Sequence, residues 1–109
     1  MAARMDVDRR AAKRFRLQLP LSVRWIDGGV AGEALTVSRD ISSRGVSFLL
    51  PRPISVGALV EVTLTLTHEL TQAGPVRVRC LGRVVRSRQE ADGAYRLSAA
   101  IDRYEFLRS

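Results

Sequence analysis

Residues 17–29, LQLPLSVRWIDGG, decide the fold class of this chain. Every second residue from Leu17 to Trp25 is apolar, and the residues between them are polar or proline, which is typical of a strand with one buried face. Pro20 lies on the outward register, where its missing backbone donor fits an edge or a bulge. The sequence Asp27-Gly28-Gly29 then predicts a turn. The stretch therefore predicts a strand that is followed at once by a second, antiparallel one.

The same alternation of apolar and polar residues recurs five more times along the chain. In the second predicted strand, Glu33–Arg39, we expect Leu35 and Val37 to face the interior. Six such strands with a turn about every ten residues predict an all-β domain, a six-stranded antiparallel β-barrel over residues 15–109. Asp102 can cap at most a short C-terminal helical turn over residues 103–107. The other inward positions are predicted to be Val46, Phe48 and Leu50 in the third strand, Val60, Val62, Leu64 and Leu66 in the fourth, Val76, Val78, Cys80 and Val84 in the fifth, with Gly82 as a bend or bulge, and Tyr95, Leu97, Ala99 and Ile101 in the sixth.

Positive charge dominates the composition. The 109 residues include 18 lysines and arginines against 11 aspartates and glutamates, a formal net charge of +7, and Lys13 is the only lysine. Arginine presents a planar fork that pairs bidentately with phosphate or with a guanine edge, whereas lysine is a point charge. The composition therefore predicts an anionic partner, although a GC-rich genome would also favour arginine over lysine.

Several function classes lack the residues that they need. Cys80 is the only cysteine and His68 the only histidine, which excludes an internal disulfide, a thiolate metal site and a zinc site. No base accompanies Asp40 and Ser42, so we expect no catalytic residues, no metal and no cofactor apart from a bound ligand. The apolar runs are too short for a membrane helix, and residues 1–16 lack the apolar stretch of a signal peptide. We therefore expect a soluble cytoplasmic protein that is not an enzyme.

The N-terminal segment carries the first candidate binding motif. Residues 1–14 are predicted to form a flexible basic arm, and Arg10 and Arg14 are spaced so that both guanidinium groups can point the same way, with Arg9 beside them. Two such groups can clamp a dianionic ligand or a guanine edge, and a bidentate arginine–guanine contact contributes about 1–3 kcal/mol of discrimination. Taken alone, the segment is more simply interpreted as a solvated basic tail.

A second motif lies between the second and third predicted strands. Residues 40–45, DISSRG, contain Asp40, Ser42 and Gly45. Aspartate and serine cap backbone N–H groups in tight turns, and we expect Gly45 to supply a positive φ where the chain reverses. One interpretation is a well-formed turn. The other is a loop whose carboxylate accepts hydrogen bonds from guanine N1–H and N2–H, while its hydroxyl and amides face the ligand.

Strand pairing is expected to bring the two motifs together. If the first hairpin turns near Gly29, residue 40 lies roughly opposite residue 18, because paired residues move away from an antiparallel turn in step. Asp40 then lies at the barrel end where the arm begins. Paired arginines, a carboxylate, a hydroxyl and a glycine around one site fit a ligand with phosphates and guanines better than generic nucleic acid.

The two motifs together resemble the two-part signature of the PilZ domain family. The first part, Arg-x-x-x-Arg, corresponds to residues 10–14 and the second, Asp/Asn-x-Ser-x-x-Gly, to residues 40–45. The resemblance extends from Arg9 to the C-terminus and implies a PilZ-like split barrel that binds cyclic di-GMP. It also implies that Arg9, which precedes the first motif arginine, favours an intercalated pair of nucleotides. The ligand-binding residues that the resemblance implies are Arg9, Arg10, Arg14, Asp40, Ser42 and Gly45.

The resemblance implies a receptor or adaptor whose ligand clamps the arm over the barrel and alters a surface read by a downstream protein. Ser98 departs from the family pattern, because many relatives carry glycine there, and its side chain either crowds the site or faces solvent. Two alternatives stay open: a nucleotide-independent interaction adaptor, and a basic barrel for general nucleic-acid binding, which the scarcity of aromatic residues disfavours. A homodimer also stays open, through Trp25 or Phe106 at an open barrel mouth.

Overall fold

Six antiparallel strands form a closed barrel in the order β1-β2-β3-β6-β5-β4. The computed structural model describes residues 16–66, 74 and 76–107, and none of these residues is helical. No helix in these ranges is therefore long and apolar enough to cross a membrane. The fold class predicted from the alternating pattern is confirmed. The strands are β1 (Pro20–Asp27), β2 (Val30–Ile41), β3 (Gly45–Leu50), β4 (Leu59–Leu66), β5 (Val76–Gln89) and β6 (Tyr95–Leu107).

The hairpin between β1 and β2 turns where the sequence predicted. Asp27 pairs with Val30, and Gly28 and Gly29 between them have φ angles of 60° and 82°. Two successive positive φ angles match the twist of the flanking strands, and glycine adopts them without steric cost. The turn therefore fixes the register of the whole hairpin.

The inward positions of β1, β3, β4, β5 and β6 form the core, as the alternation predicted. Phe48 and Leu97 are 0% exposed, and Ile54 of the β3–β4 connection joins the same cluster. Full burial of a side chain of this size contributes about 1.5–3 kcal/mol. The predicted bend in β5 is a register shift between Leu81 and Gly82 in its pairing with β6. Of the residues predicted inward in β4, β5 and β6, Leu66, Val76 and Tyr95 at strand ends and Ile101 in the middle of β6 are only half-buried.

The predicted strand over Glu33–Arg39 lies within β2, but its predicted inward face is wrong, because Leu35 and Val37 face solvent. Their exposed fractions are 85% and 46%. The ring of Trp25 from β1 lies over Gly32 of β2, where an added Cβ atom would be 2.4 Å from the ring. The interior beside β2 therefore has room for small side chains only, and the apolar pattern of this strand is opposite to its burial. Its inward positions are Gly32, Ala34, Thr36 and Ser38.

The C-terminal helical turn predicted over residues 103–107 is also wrong. β6 continues as a strand to Leu107, alongside the start of β5. The Nη1 atom of Arg79 on β5 lies 3.2 Å from Glu105 Oε1 on β6. Because β5 is 14 residues long, it offers backbone partners beyond the predicted end of β6. Pairing with β5 therefore outweighs the capping preference of Asp102.

Cys80 in the core is expected to make the barrel less stable at high pH. Its side chain is 1% exposed, and burial raises the pKa of the thiol from 9.0 to about 11. Because the folded state binds this proton more tightly, the contribution to stability is complete below pH 9.0 and is lost as the pH rises towards about 11. We expect the midpoint of urea unfolding to fall across this interval.

The Cys80→Ala variant serves as the control for this pH dependence. It should be less stable than the wild type near neutral pH, because it leaves a small cavity, but its urea midpoint should fall less steeply with pH. Some slope should remain, since burial by itself also raises the pKa of Tyr104, although the smaller effect of the Cys80 charge on it is lost in this variant. Equal slopes for the two proteins would contradict the role assigned to the thiol.

Candidate ligand-binding site

A pocket of about 620 Å³ opens on the outer surface of the barrel over β2, β3, β6 and β5. Core side chains fill the interior, so the pocket lies on the outward face of these strands. Its lining combines hydroxyls, one carboxylate and several guanidinium groups. The lining residues used below are Asp40, Ser42, Arg44, Gly45, Ser47, Arg86, Arg88, Arg96 and Ser98.

A β-bulge in β2 turns Asp40 toward the pocket. Ser38 pairs with Phe48 and Asp40 pairs with Ser47, so Arg39 is an extra residue on this strand. Side chains alternate between the two faces of a strand, and Ser38 is fully buried on the inner face. If the alternation continued unbroken through Arg39, Asp40 would share that inner face. The bulge places its carboxylate on the outer face.

A second bulge, in β5, turns two arginines toward the same pocket. The pairing of β5 with β6 shifts between Val84 and Arg86, so Val85 is the extra residue. Val84 is fully buried, and plain alternation would direct Arg86 and Arg88 inward as well. The bulge places both guanidinium groups on the outer face, where they line the pocket across β3 and β6 from Asp40.

The carboxylate of Asp40 is held by donors from two neighbouring strands. Ser47 Oγ of β3 donates to Asp40 Oδ2 at 3.3 Å, and Arg96 Nη1 of β6 lies 3.4 Å from the same oxygen. The guanidinium also lies near a second carboxylate, with Nε 3.7 Å from Glu90 Oε2. The side chains of Asp40 and Arg96 are only 24% and 27% exposed. Asp40 is thus an acceptor whose position the adjoining strands fix.

The loop between β2 and β3 is anchored to β6 and forms one wall of the pocket. Ser42 Oγ accepts a hydrogen bond from the Arg44 N–H at 3.2 Å, which closes the tight turn. The Ile101 N–H of β6 donates to the Arg44 carbonyl at 2.9 Å. The Tyr104 hydroxyl donates to the Ser43 carbonyl. Ser42 therefore forms the turn that its motif predicts, and that turn lines the pocket.

Close packing, and not a positive φ, requires glycine at position 45, which corrects the prediction made from the sequence. Gly45 is not one of the described glycines that have positive φ. An added Cβ atom would lie 2.5 Å from the carbonyl oxygen of Ala99 on β6. The absence of a side chain therefore lets the start of β3 lie against β6 at the pocket.

Positive charge is concentrated in the pocket. Four arginines line it: Arg44, Arg86, Arg88 and Arg96. Among the described residues, only the last of these has a carboxylate within ion-pair distance. By contrast, Arg79, which lies on β5 together with Arg86 and Arg88, forms ion pairs with two glutamates. The pocket therefore offers an anion three guanidinium groups that no described carboxylate neutralises.

The entry of the chain into β1 lies beside the Asp40 end of β2, as the predicted register required. The Ser38 N–H donates to the Leu19 carbonyl at 2.9 Å, and the Leu19 N–H donates to Ser38 Oγ at 2.9 Å. Ser38 Oγ in turn donates to the Leu17 carbonyl. These bonds hold the segment before β1 against the strand that carries the carboxylate.

Three of the six predicted ligand-binding residues, Asp40, Ser42 and Gly45, line the pocket together. The other three lie outside the described residues, as does the rest of the predicted arm, and their roles stay predictions. Ser98, the departure from the family pattern named in the sequence analysis, lines the pocket and is half-buried. Its hydroxyl therefore occupies part of the site. The predicted residues outside the described ranges are Arg9, Arg10 and Arg14.

Sequence reasoning missed the arginines that β5 and β6 contribute. The sequence does contain a signal for two of them, because Val84 and Val85 are adjacent apolar residues that interrupt the alternation of β5. Such an interruption marks a bulge, after which Arg86 and Arg88 change face. For Arg96 no local signal exists, since its contact with Asp40 joins residues 56 positions apart.

Comparison with known proteins identifies the family to which this arrangement belongs. Residues 8–106 match the family model described as "PilZ domain". The chain therefore belongs to the PilZ domain family, whose members are binding and adaptor domains. A comparison with curated protein sequences found no match.

One similar solved structure supports the same fold. It is titled "Structure of Bacillus subtilis Inhibitor of motility (MotI/DgrA)", and it superimposes on this chain with a TM-score of 0.68 at 14% sequence identity. The match covers 84% of this chain and 42% of that chain. This chain thus spans less than half of that protein's length, and the likeness concerns the barrel fold alone.

Proposed function

We propose that the chain is a receptor for cyclic di-GMP that acts as an adaptor and catalyses no reaction. The observation that carries the proposal is the outer pocket, in which a fixed carboxylate faces guanidinium groups that lack described ion-pair partners. A guanine nucleotide with two phosphates matches both features, because its base offers N–H donors and its phosphates offer anionic acceptors. Membership of the PilZ domain family supports the same ligand.

In the proposed complex, the barrel and the N-terminal segment bind different parts of the ligand. Asp40 accepts hydrogen bonds from a guanine edge, and Arg86 and Arg88 attract the phosphates. Arg10 and Arg14 close over the ligand from the segment that precedes β1. The bonds between Ser38 and Leu19 support this role, because they hold residue 19 at the Asp40 end of β2. Ligand binding therefore orders the arm, and the change in surface follows from contacts made only in the bound state.

The change is proposed to be read by a downstream protein. Exposed apolar side chains on the outer face provide contact area for such a partner or for a second copy of the chain. Leu35 of β2 is 85% exposed and Phe106 of β6 is 72% exposed, whereas Trp25 is only 9% exposed. The sequence left two aromatic residues, Trp25 and Phe106, as candidates for this contact surface. Their exposed fractions favour Phe106.

Calorimetric titration of the chain with cyclic di-GMP tests the ligand directly. We expect saturable binding with a Kd of about 1 μM or tighter, which corresponds to about −8 kcal/mol. If Arg9 favours an intercalated pair, two nucleotides should bind per chain. GTP and a short single-stranded DNA serve as controls and should release no comparable heat.

Each contrary result would select a different function. No heat with cyclic di-GMP would favour an interaction adaptor that has no nucleotide ligand. Heat with single-stranded DNA that falls steeply with added salt would favour a basic barrel for nucleic acids. One nucleotide per chain would keep the receptor and contradict the role assigned to Arg9.

A further inference from the structure

Arg96 lies between two carboxylates in the wall of the pocket. Its Nη1 is 3.4 Å from Asp40 Oδ2, and its Nε is 3.7 Å from Glu90 Oε2. Within the described part of the chain, this Nε is buried and has no hydrogen-bond partner. A buried donor without a close acceptor lowers stability. The placement of Arg96 is therefore better explained by the site than by the fold.

The described contacts of Asp40 all use one of its two carboxylate oxygens. Ser47 Oγ and Arg96 Nη1 both reach Oδ2, and no hydrogen bond between described residues reaches Oδ1. An ionised carboxylate has about four acceptor sites. Oδ1 and part of Oδ2 therefore remain available to the N1–H and N2–H groups of a guanine. Arg96 and Ser47 set which edge of the carboxylate faces the pocket.

The charge of Glu90 helps to keep Arg96 in this orientation. Arg96 lies directly opposite Arg88 in the pairing of β5 with β6, and like charges at opposite positions repel. Glu90 follows the end of β5 and is 30% exposed beside the Arg96 guanidinium. Its carboxylate offsets the repulsion from Arg88, so the guanidinium can stay within reach of Asp40.

We propose that Arg96 is a positioning residue for guanine recognition, which holds the Asp40 carboxylate in the orientation that accepts both guanine donors and is itself held by Glu90. The proposal rests on the function proposed above. It predicts that Arg96 controls the preference for guanine more than the total affinity. The reason is that Arg44, Arg86 and Arg88 remain to attract the phosphates.

The experiment compares cyclic di-GMP with cyclic di-IMP, whose hypoxanthine bases lack the N2 amino group. The wild type should prefer cyclic di-GMP by roughly tenfold or more, since the analogue loses a hydrogen bond to a charged acceptor. Arg96→Gln should reduce this preference to about twofold or less, as should Asp40→Ala. Arg88→Gln should weaken binding of both dinucleotides and keep the wild-type preference.

Two further variants separate positioning from folding. Glu90→Gln keeps the Arg96 side chain but removes the charge that orients it, and it should lower the preference in the same direction as Arg96→Gln, even if the latter has a lower Tm. Arg79→Gln is the matched control, because Arg79 also bridges two carboxylates, Glu61 and Glu105, away from the pocket. It should change neither affinity nor preference.

The outcomes distinguish this inference from the function on which it rests. A wild-type preference that persists in both Arg96→Gln and Glu90→Gln would overturn the positioning role and leave the receptor function intact. Equal affinity of the wild type for the two dinucleotides would also overturn it, because Asp40 would then not read the N2 amino group. No binding of either dinucleotide to the wild type would overturn the inference and the function together.

Discussion

Replacing Arg10 and Arg14 together by alanine is expected to weaken cyclic di-GMP binding more than about a hundredfold. Hydrogen bonds to charged groups contribute about 1.5–3 kcal/mol each, so the loss of two arginine contacts removes about 3 kcal/mol or more. The ligand-free protein should melt at nearly the wild-type temperature, since the described core consists of apolar side chains and both arginines are predicted to lie in the flexible arm. Calorimetric titration and a thermal melt of the same preparation measure the two effects.

A double variant with the same loss of charge provides the control. Arg52 and Arg103 are exposed and do not line the pocket. Arg52→Ala/Arg103→Ala should therefore change the affinity only slightly, through the general positive field of the protein. If both double variants lose affinity equally, the first motif acts only through net charge. A large fall in the Tm of the ligand-free Arg10→Ala/Arg14→Ala protein would instead indicate a structural role.

Gly82→Ala should destabilise the barrel more than a glycine-to-alanine substitution at any described glycine in the connections between strands. An added Cβ atom would lie 1.9 Å from the carbonyl oxygen of Ala100 and 3.0 Å from the Cα atom of Ile101. The obstacle is the backbone of β6, which cannot turn aside as a side chain can. Overpacking of this kind costs about 3 kcal/mol, which corresponds to a fall in Tm of roughly 10–20 °C for a domain of this size.

Gly93→Ala is the matched substitution for this test. Gly93 has a φ of 92°, but no atom lies within 4 Å of the added Cβ. Its cost is backbone strain alone, about 1–2 kcal/mol. Urea unfolding should therefore rank Gly82→Ala clearly below Gly93→Ala in stability. Equal losses would show that the approach of β5 to β6 at this position is looser than the structure indicates.

The alternating pattern predicted the barrel because every strand except β2 buries apolar side chains at alternate positions. It failed for β2, where the Trp25 ring fills the space that a larger inward side chain would need, so that the buried face is built from small residues. Hydrophobic periodicity reports burial only where the buried side chains are large. The pattern also placed the end of β6 too early, because the sequence of β6 does not show how long its partner strand β5 is.

The site could be predicted in part for a similar reason. Asp40, Ser42 and Gly45 are close in sequence, so their motif was recognisable, although the requirement for glycine arises from the Ala99 carbonyl on a distant strand. The contact between Asp40 and Arg96 depends on strand order, which no local pattern reveals. Long-range pairing therefore supplied the residues that sequence reasoning missed.

The two bulges allow the outer, ligand-binding face of the barrel to be set independently of its buried face. Each consists of one extra residue, Arg39 or Val85, and each decides whether the polar residue that follows it faces the solvent or the interior. If either bulge were straightened with its extra residue retained, the two faces would therefore be exchanged for the rest of that strand. An alignment that slips by one residue at these two points would mistake a binding residue for a core residue.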